Sequence, residues 1–259
     1  MNKKNTAKLW DNLWKHDISK KEDAFNLAKE ENSIRWQRIE KIVLKNLGSF
    51  KGLKVIEVGA GAGTNAALMA KRGAEVTILD YSELAIKRSR EFFKRNKLKA
   101  KFIQQDALNL PKELMSKYDI SLSFGLTEHF KDQQRIQINK AHFDLIKKGG
   151  ITFISVPHKH NLPYRLYKFA AELAGKWNVG EEYPYSRQEF RKICQKIGIK
   201  KYAFFGDSLI ASFNMINPFR IFAKLLGFKQ NLDISKMRPE KGTFLDEYLS
   251  YALVLCGFK

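Results

Sequence analysis

Long apolar runs are missing from this chain. No uninterrupted apolar stretch approaches the ~18 residues expected of a membrane span. The opening residues, Met1-Asn2-Lys3-Lys4-Asn5-Thr6, are basic and lead to Leu9-Trp10-Asp11-Asn12, not to the apolar core of a signal peptide. A cytoplasmic protein is the expectation. Cysteine is scarce: Cys194 and Cys256 are the two in the chain. Neither belongs to a Cys or His spacing that suggests zinc, and no metal is expected; buried free thiols fit better. Acidic residues are few beside basic ones, 27 Asp+Glu against 47 Lys+Arg, for a net charge of +20. Eight Lys/Arg and two Glu fall between Ser82 and Lys101, where a helix with a solvated face is expected. Lys outnumbers Arg and is dispersed, which argues for general lysine usage more than for a dedicated groove. Contact with nucleic acid or with an anionic membrane surface stays open on charge alone. Internal repeats and low-complexity linkers are absent too. At 259 residues and 44% hydrophobic, the chain has room for one large α/β domain with appended helices.

The most informative segment is Val55-Ile56-Glu57-Val58-Gly59-Ala60-Gly61-Ala62-Gly63-Thr64-Asn65. A β-branched run ends in three glycines at alternate positions and passes into the helix former Ala66-Ala67-Leu68-Met69-Ala70. This predicts a buried parallel strand, a tight turn whose backbone N–H groups come close to a ligand, and a helix start. Gly61, Gly63 and Ala66 fit the dinucleotide pattern G-x-G-x-x-G/A. In such a site, however, the first glycine directly follows the strand. That glycine is Gly59, and its sixth position is Thr64 where a small residue is wanted. Glu57 also places a carboxylate on a strand that should be apolar on both faces, which suits a ligand with a cationic group.

Further strands ending in acids follow. Glu75–Asp80 puts Asp80 21 residues beyond Gly59, where an acid can accept from both ribose hydroxyls, with Tyr81 next and Ser82 as a helix N-cap. Lys101–Gln105 runs into Asp106-Ala107, and Tyr118–Phe124 reads as a fourth strand. The pattern E-x-G-x-G-x-G with these segments in order resembles class I S-adenosylmethionine (SAM)-dependent methyltransferases. The resemblance spans residues 53 to 156. It implies a doubly wound, mostly parallel seven-stranded Rossmann-like sheet, with SAM as cofactor and S-adenosylhomocysteine as its product. The cofactor contacts it implies are Glu57, Gly59, Ala60, Gly61, Gly63, Asp80, Tyr81, Asp106, Ala107 and Phe124. Acids that merely cap a strand-to-loop turn are the plainer reading of Asp80 and Asp106.

The alternation predicts strands near 53–58, 75–80, 101–105, 118–124 and 151–156, and helices near 64–72, 82–96 and 132–147, the last closed by Gly149-Gly150. A helix from Ser186 to Gly198 starts with a Ser186/Glu189 capping box. Strands at 201–205 and 248–256 complete the set, and the resemblance implies that the last is antiparallel between the fifth and sixth. Residues 1–50 read as an N-terminal helical cap and 51–259 as the main domain, with insertions at about 157–185 and 207–246. Trp10 and Trp14 share a helix face and resemble the W-x-x-x-W stretch of several small-molecule methyltransferases. Together with His158, Tyr164 and Tyr167 of the first insertion, they are candidates for a lid over the acceptor. The second insertion is apolar with Arg220 and Lys224 interspersed, as in helices that lie on a membrane. Ordinary packing of extra helices would explain both equally well.

For catalysis the candidates are Glu128 and His129, just past the fourth strand, which resemble the L-E-H stretch of quinone-type O-methyltransferases. There His acts as base, or Glu and His help to bind a metal; a Glu-His pair can equally brace the next helix. His158 and His160 are alternates. The N-P-P-Y motif of base amine methylation is absent, with Ser123-Phe124-Gly125-Leu126 in its place. The sequence therefore predicts methyl transfer from SAM to a small apolar or aromatic molecule. RNA methylation and NAD-dependent oxidoreduction are the alternatives. Oligomeric state is not legible.

Overall fold

The computed structural model describes residues 6–15, 19–217 and 233–259. The part of the second predicted insertion that holds Pro218, Arg220 and Lys224 lies outside the described residues. Among the described residues, three helices come first: α1 (Ala7–Leu13), α2 (Lys20–Glu31) and α3 (Ile34–Leu47), capped by Thr6, Ser19 and Ser33. A βα alternation follows: β1 (Lys54–Val58), α4 (Thr64–Lys71), β2 (Glu75–Asp80), α5 (Glu83–Arg95), β3 (Lys101–Gln104), β4 (Tyr118–Phe124), α6 (Asp132–Leu145) and β5 (Ile146–Pro157). The chain closes with α7 (Leu162–Leu173), α8 (Arg187–Ile197), β6 (Lys201–Gly206) and β7 (Ala252–Phe258). These strands form one seven-stranded sheet in the order β3-β2-β1-β4-β5-β7-β6. The first five are parallel, and β7 runs antiparallel between β5 and β6.

The two faces follow from strand alternation. Val55, Val76, Ile78, Ile120, Leu122 and Phe153 meet α3, α4 and α5 through Trp36, Ile39, Val43, Leu68, Met69, Phe92 and Phe93. On the other face, Ile56, Val58 and Leu79 meet α6, while Ile154, Val156, Leu253 and Leu255 meet α8 through Phe190, Ile193 and Cys194. Of the N-terminal helices, α3 is thus part of the core, and α2 is locked to α5 by a buried ion pair between Asp23 and Arg88. Both cysteines are free and buried. Among the described residues, no helix is long and apolar enough to cross a membrane.

Two boundaries differ from the sequence reading. The glycine pair does not end α6: the helix stops at Leu145, because Ile146 already pairs with Tyr118. Gly149 and Gly150 sit inside β5, at the irregularity between the Tyr118 and Ile120 rungs, where the Gly149 N–H donates to the Lys259 carbonyl at 2.7 Å. Nor does the last strand begin at Tyr248. Asp246–Leu249 forms one helical turn, set by the Asp246 carboxylate, which accepts from the Thr243 and Leu209 N–H groups.

Candidate active site

A cavity of about 610 Å³ opens at the carboxyl ends of β1, β2 and β4, where a doubly wound sheet receives its ligand. Its floor is the glycine turn after β1. Gly59 and Gly61 have φ of +64° and +53°, a region costly for residues with a Cβ. A Cβ on Gly59 would stand 2.8 Å from Leu126 Cδ1, and one on Gly61 would collide with the Trp14 ring. Both neighbours line the cavity, so the glycines keep open a cradle that any side chain would fill.

The turn's amides do not face outward as the sequence reading expects. The Gly59 and Ala60 N–H groups donate to the Leu79 carbonyl, and Gly63 N–H to the Ala60 carbonyl. Gly61 N–H donates to Asp80 Oδ2 at 2.9 Å, while Asp80 Oδ1 accepts from Ser82 N–H at 2.9 Å. Asp80 therefore joins the ends of β1 and β2, buried at 8% exposure, and is not an open strand end. Burial pushes its carboxyl up from the ordinary value against the pull of those N–H groups. Asp106 caps its own turn, accepting from Leu108 N–H and Asn109 Nδ2, both at 2.9 Å. Ala60, Tyr81, Asp106, Ala107 and Phe124 all line the cavity.

Glu57 and Gly63 do not. Glu57 is on the Val55 face of β1, beneath α4, where Oε2 accepts the Ala66 N–H at 2.8 Å. It is 2% exposed, and burial raises its carboxyl to about 8. Gly63 is turned inward against Ile78 and Phe93. Both residues shape the turn from below.

The opposite wall is made by α1, the turn after β4, and the strand-like segment before α8. Trp10 and Trp14 line the cavity, and α1 is tied down by Ser82 Oγ donating to Asp11 Oδ1 at 2.5 Å. The Trp10 ring meets the His129 ring edge-on at 4.7 Å. His129 lines the cavity; its Nδ1 lies 2.8 Å from the Glu181 carbonyl oxygen, which assigns the proton to that nitrogen. Burial lowers the ring's pKa to about 4, against the upward pull of the Glu181 and Gly125 backbones, so the imidazole is neutral at pH 7.

Glu128 is just behind this wall. It is 2% exposed, its Oε2 has no hydrogen-bond partner, and burial pushes its carboxyl well above the ordinary value. Glu182 joins it: Glu128, His129 and Glu182 offer ligand atoms within 4.8 Å of one another, enough for three positions around a cation. The sequence reading names metal binding by Glu128 and His129 as one role of the resembling pair, assigns no metal site, and does not bring Glu182 into the site.

The first insertion contributes differently from the sequence reading. Glu181 and Tyr183 reach the cavity, whereas Tyr164, Tyr167 and His158 do not. Tyr164 is buried, donating to Glu182 Oε2 at 2.6 Å, and Tyr167 lies on α7 against Trp177. His158 and His160 line a separate, smaller cavity. Glu181 and Tyr183 lie two residues apart in an extended stretch, where no apolar pattern marks them in the sequence.

Comparison with known proteins agrees with this geometry. Residues 55–150 match the family model described as a methyltransferase domain. The chain is 27% identical over 183 residues to the ubiquinone biosynthesis O-methyltransferase of Leptothrix cholodnii, covering 69% of this chain and 75% of that protein. The corresponding protein of Rickettsia felis is 24% identical over 172 residues, 66% of this chain and 69% of the relative. Among solved structures, magnesium protoporphyrin IX methyltransferase from Synechocystis PCC 6803, with bound S-adenosylhomocysteine, superposes with a TM-score of 0.54. It is 15% identical over 97% of this chain and 93% of its own.

Proposed function

Because the chain belongs to the class I SAM-dependent methyltransferase superfamily, we propose that it methylates a hydroxyl of a small aromatic acceptor bound against α1. The observation that carries this reading is a neutral His129 buried in a cavity walled by Trp10, Trp14, Phe124, Phe130 and Tyr183. Aromatic rings suit an apolar planar acceptor, and a neutral imidazole can receive its proton.

The cavity volume and the open glycine cradle fit SAM. Gly59, Ala60, Gly61, Tyr81, Asp106, Ala107 and Phe124 would hold it, with Asp80 accepting from its ribose hydroxyls. When bound, SAM supplies a methyl group activated by its own sulfonium, so the chain needs no elaborate triad. What the chain supplies is alignment of the acceptor oxygen, a dry enclosure and a proton acceptor. Trp10 and Trp14 close the mouth, and His129 takes the proton. A second reading, that Glu128, His129 and Glu182 hold a divalent cation that lowers the acceptor hydroxyl's pKa, is favoured by the unpartnered Glu128 Oε2. Dialysis against a chelator separates the two readings: activity that persists supports the base, and activity restored only by added metal supports the cation. The likeness to O-methyltransferases supports a hydroxyl acceptor over the RNA and NAD alternatives.

The first test is binding. SAM should raise the melting temperature, by the equivalent of ~2.7 kcal/mol at a hundredfold excess over Kd, while NADH should not. A shift with NADH alone would overturn the assignment. The second is activity with labelled SAM on a panel of catechols and phenols, against amines and short RNAs. Label in RNA or amine products only would sink the acceptor proposal.

A further inference from the structure

Two histidines that the large cavity does not use, His158 and His160, lie at another opening. We propose that the second cavity, at the first turn of α8, is a binding site for a protonated phosphate group: inorganic phosphate or a singly protonated phosphate monoester. It has a volume of about 240 Å³ and is lined by His158, His160, Arg187, Gln188, Arg191 and Tyr248, with Ser186.

Several donors converge there. The α8 capping box uses the N–H of Ser186, which donates to Glu189 Oε2 at 2.9 Å, and the N–H of Glu189, which donates to Ser186 Oγ at 3.2 Å. The N–H groups of Arg187 and Gln188 stay the open amides at the positive end of an eleven-residue helix. The Arg187 guanidinium is held flat by the Tyr248 ring, 4.4 Å from its centroid, and its buried Nε has no acceptor. Two carboxylates oppose an anion here: Glu247 Oε1, 3.4 Å from Arg187 Nη1, and Glu189, which accepts from Ser186 and lies 3.6 Å from Arg135 Nη2. Arg191 is exposed and, among the described residues, has no carboxylate within 4 Å to offset it.

His158 distinguishes this arrangement from a simple basic patch. It is 1% exposed, yet Nδ1 has no hydrogen-bond partner. The Ser250 backbone favours a proton on the ring, and with Nδ1 unpartnered that proton is assigned to Nε2. Burial, His160 and Arg187 hold the imidazole neutral, with its pKa near 4. Nδ1 is consequently a lone pair in need of a donor, beside arginines and amides in need of acceptors. Hydrogen phosphate meets both needs, through one P–OH and several oxygens. Sulfate has the same shape but no proton at neutral pH, and a phosphodiester has none either.

Calorimetry at constant ionic strength tests this with inorganic phosphate, glycerol 3-phosphate, sulfate and a glycerol phosphodiester. Phosphate should bind saturably, with sulfate and the diester about tenfold weaker or worse. Glycerol 3-phosphate binding as tightly, at a pH where it keeps one proton, assigns the site to a monoester; binding of inorganic phosphate alone assigns it to the free ion. Arg191→Ala and His160→Ala, both at exposed positions, should each lower the phosphate affinity about tenfold and leave SAM binding unchanged. Equal responses to sulfate and phosphate, no saturation, or unchanged affinity in both variants would overturn the proposal.

Discussion

The two walls of the large cavity are built on different principles. The wall on β1 and β2 is backbone: the amides of the glycine turn are taken up by the Leu79 carbonyl and Asp80, which itself bridges two strand ends. The wall on β4 and the 181–183 stretch is made of titratable side chains. There Glu128 has an unpartnered oxygen, His129 is held neutral, and Glu182 is raised by burial while accepting from Tyr164. A satisfied, rigid surface suits recognition of a ligand that is the same in every turnover. Buried titratable groups suit a surface where charge changes during reaction. The division predicts that damage to the first wall changes binding and damage to the second changes rate.

The largest effect should come from Gly61→Ala. The new methyl would enter the Trp14 ring at a φ of +53°, so the turn and α1 could not keep their places together. Strain of about 1–2 kcal/mol and loss of measurable SAM binding are expected. Retained SAM affinity in calorimetry would break the claim that this wall is preorganised. His129→Ala should follow, with kcat reduced about 10²–10⁴-fold and SAM affinity kept. If SAM affinity falls instead, the second wall is not the catalytic one. Asp80→Ala comes next: removing a charged acceptor should weaken SAM by about 1.5–3 kcal/mol. Because Asp80 also holds Gly61 and Ser82, a lower melting temperature should accompany the loss. An unchanged melting temperature would show that the bridge between strands contributes nothing.

The same division explains what could be read from the sequence. The cofactor wall is local: glycines at alternate positions after a β-branched run, then acids at strand ends, place Gly59, Gly61, Asp80 and Asp106 without knowledge of packing. The βα alternation likewise marked the parallel strands and the helices between them, while the place of the last strand came from the family resemblance. The acceptor wall depends on how an irregular stretch crosses the molecule. Tyr164 and Tyr167 looked like lid residues because they are aromatic, but α7 carries them away, one into the core beside Tyr251 and the other onto Trp177. Glu181, Glu182 and Tyr183 sit between α7 and α8 with no periodicity to mark them. Their positions come from pairings such as Tyr183 N–H to the Glu128 carbonyl, a contact between residues far apart in the chain.

Glu57 sharpens the comparison, since it belongs to the first wall by position and to the second by character. Its carboxyl, raised to about 8 in the fold, has an ordinary value of 4.5. The folded protein therefore holds this proton over a range in which the unfolded chain has released it. Stability from Glu57 is complete below about pH 4.5 and is lost as pH rises toward 8, above which the loss is constant. Gln at this position keeps an oxygen to accept the Ala66 N–H and carries no charge to desolvate. Glu57→Gln, studied without SAM, should match the parent near pH 4.5 and become more stable relative to it up to pH 8. Melting temperatures across that range decide the matter. A constant difference would mean that Glu57 is already ionised in the fold, through charges such as Arg35, which lies over the Phe124 ring at 5.0 Å. The first wall would then hold a fixed negative charge beneath the turn, ready for the cationic group that its position suggests.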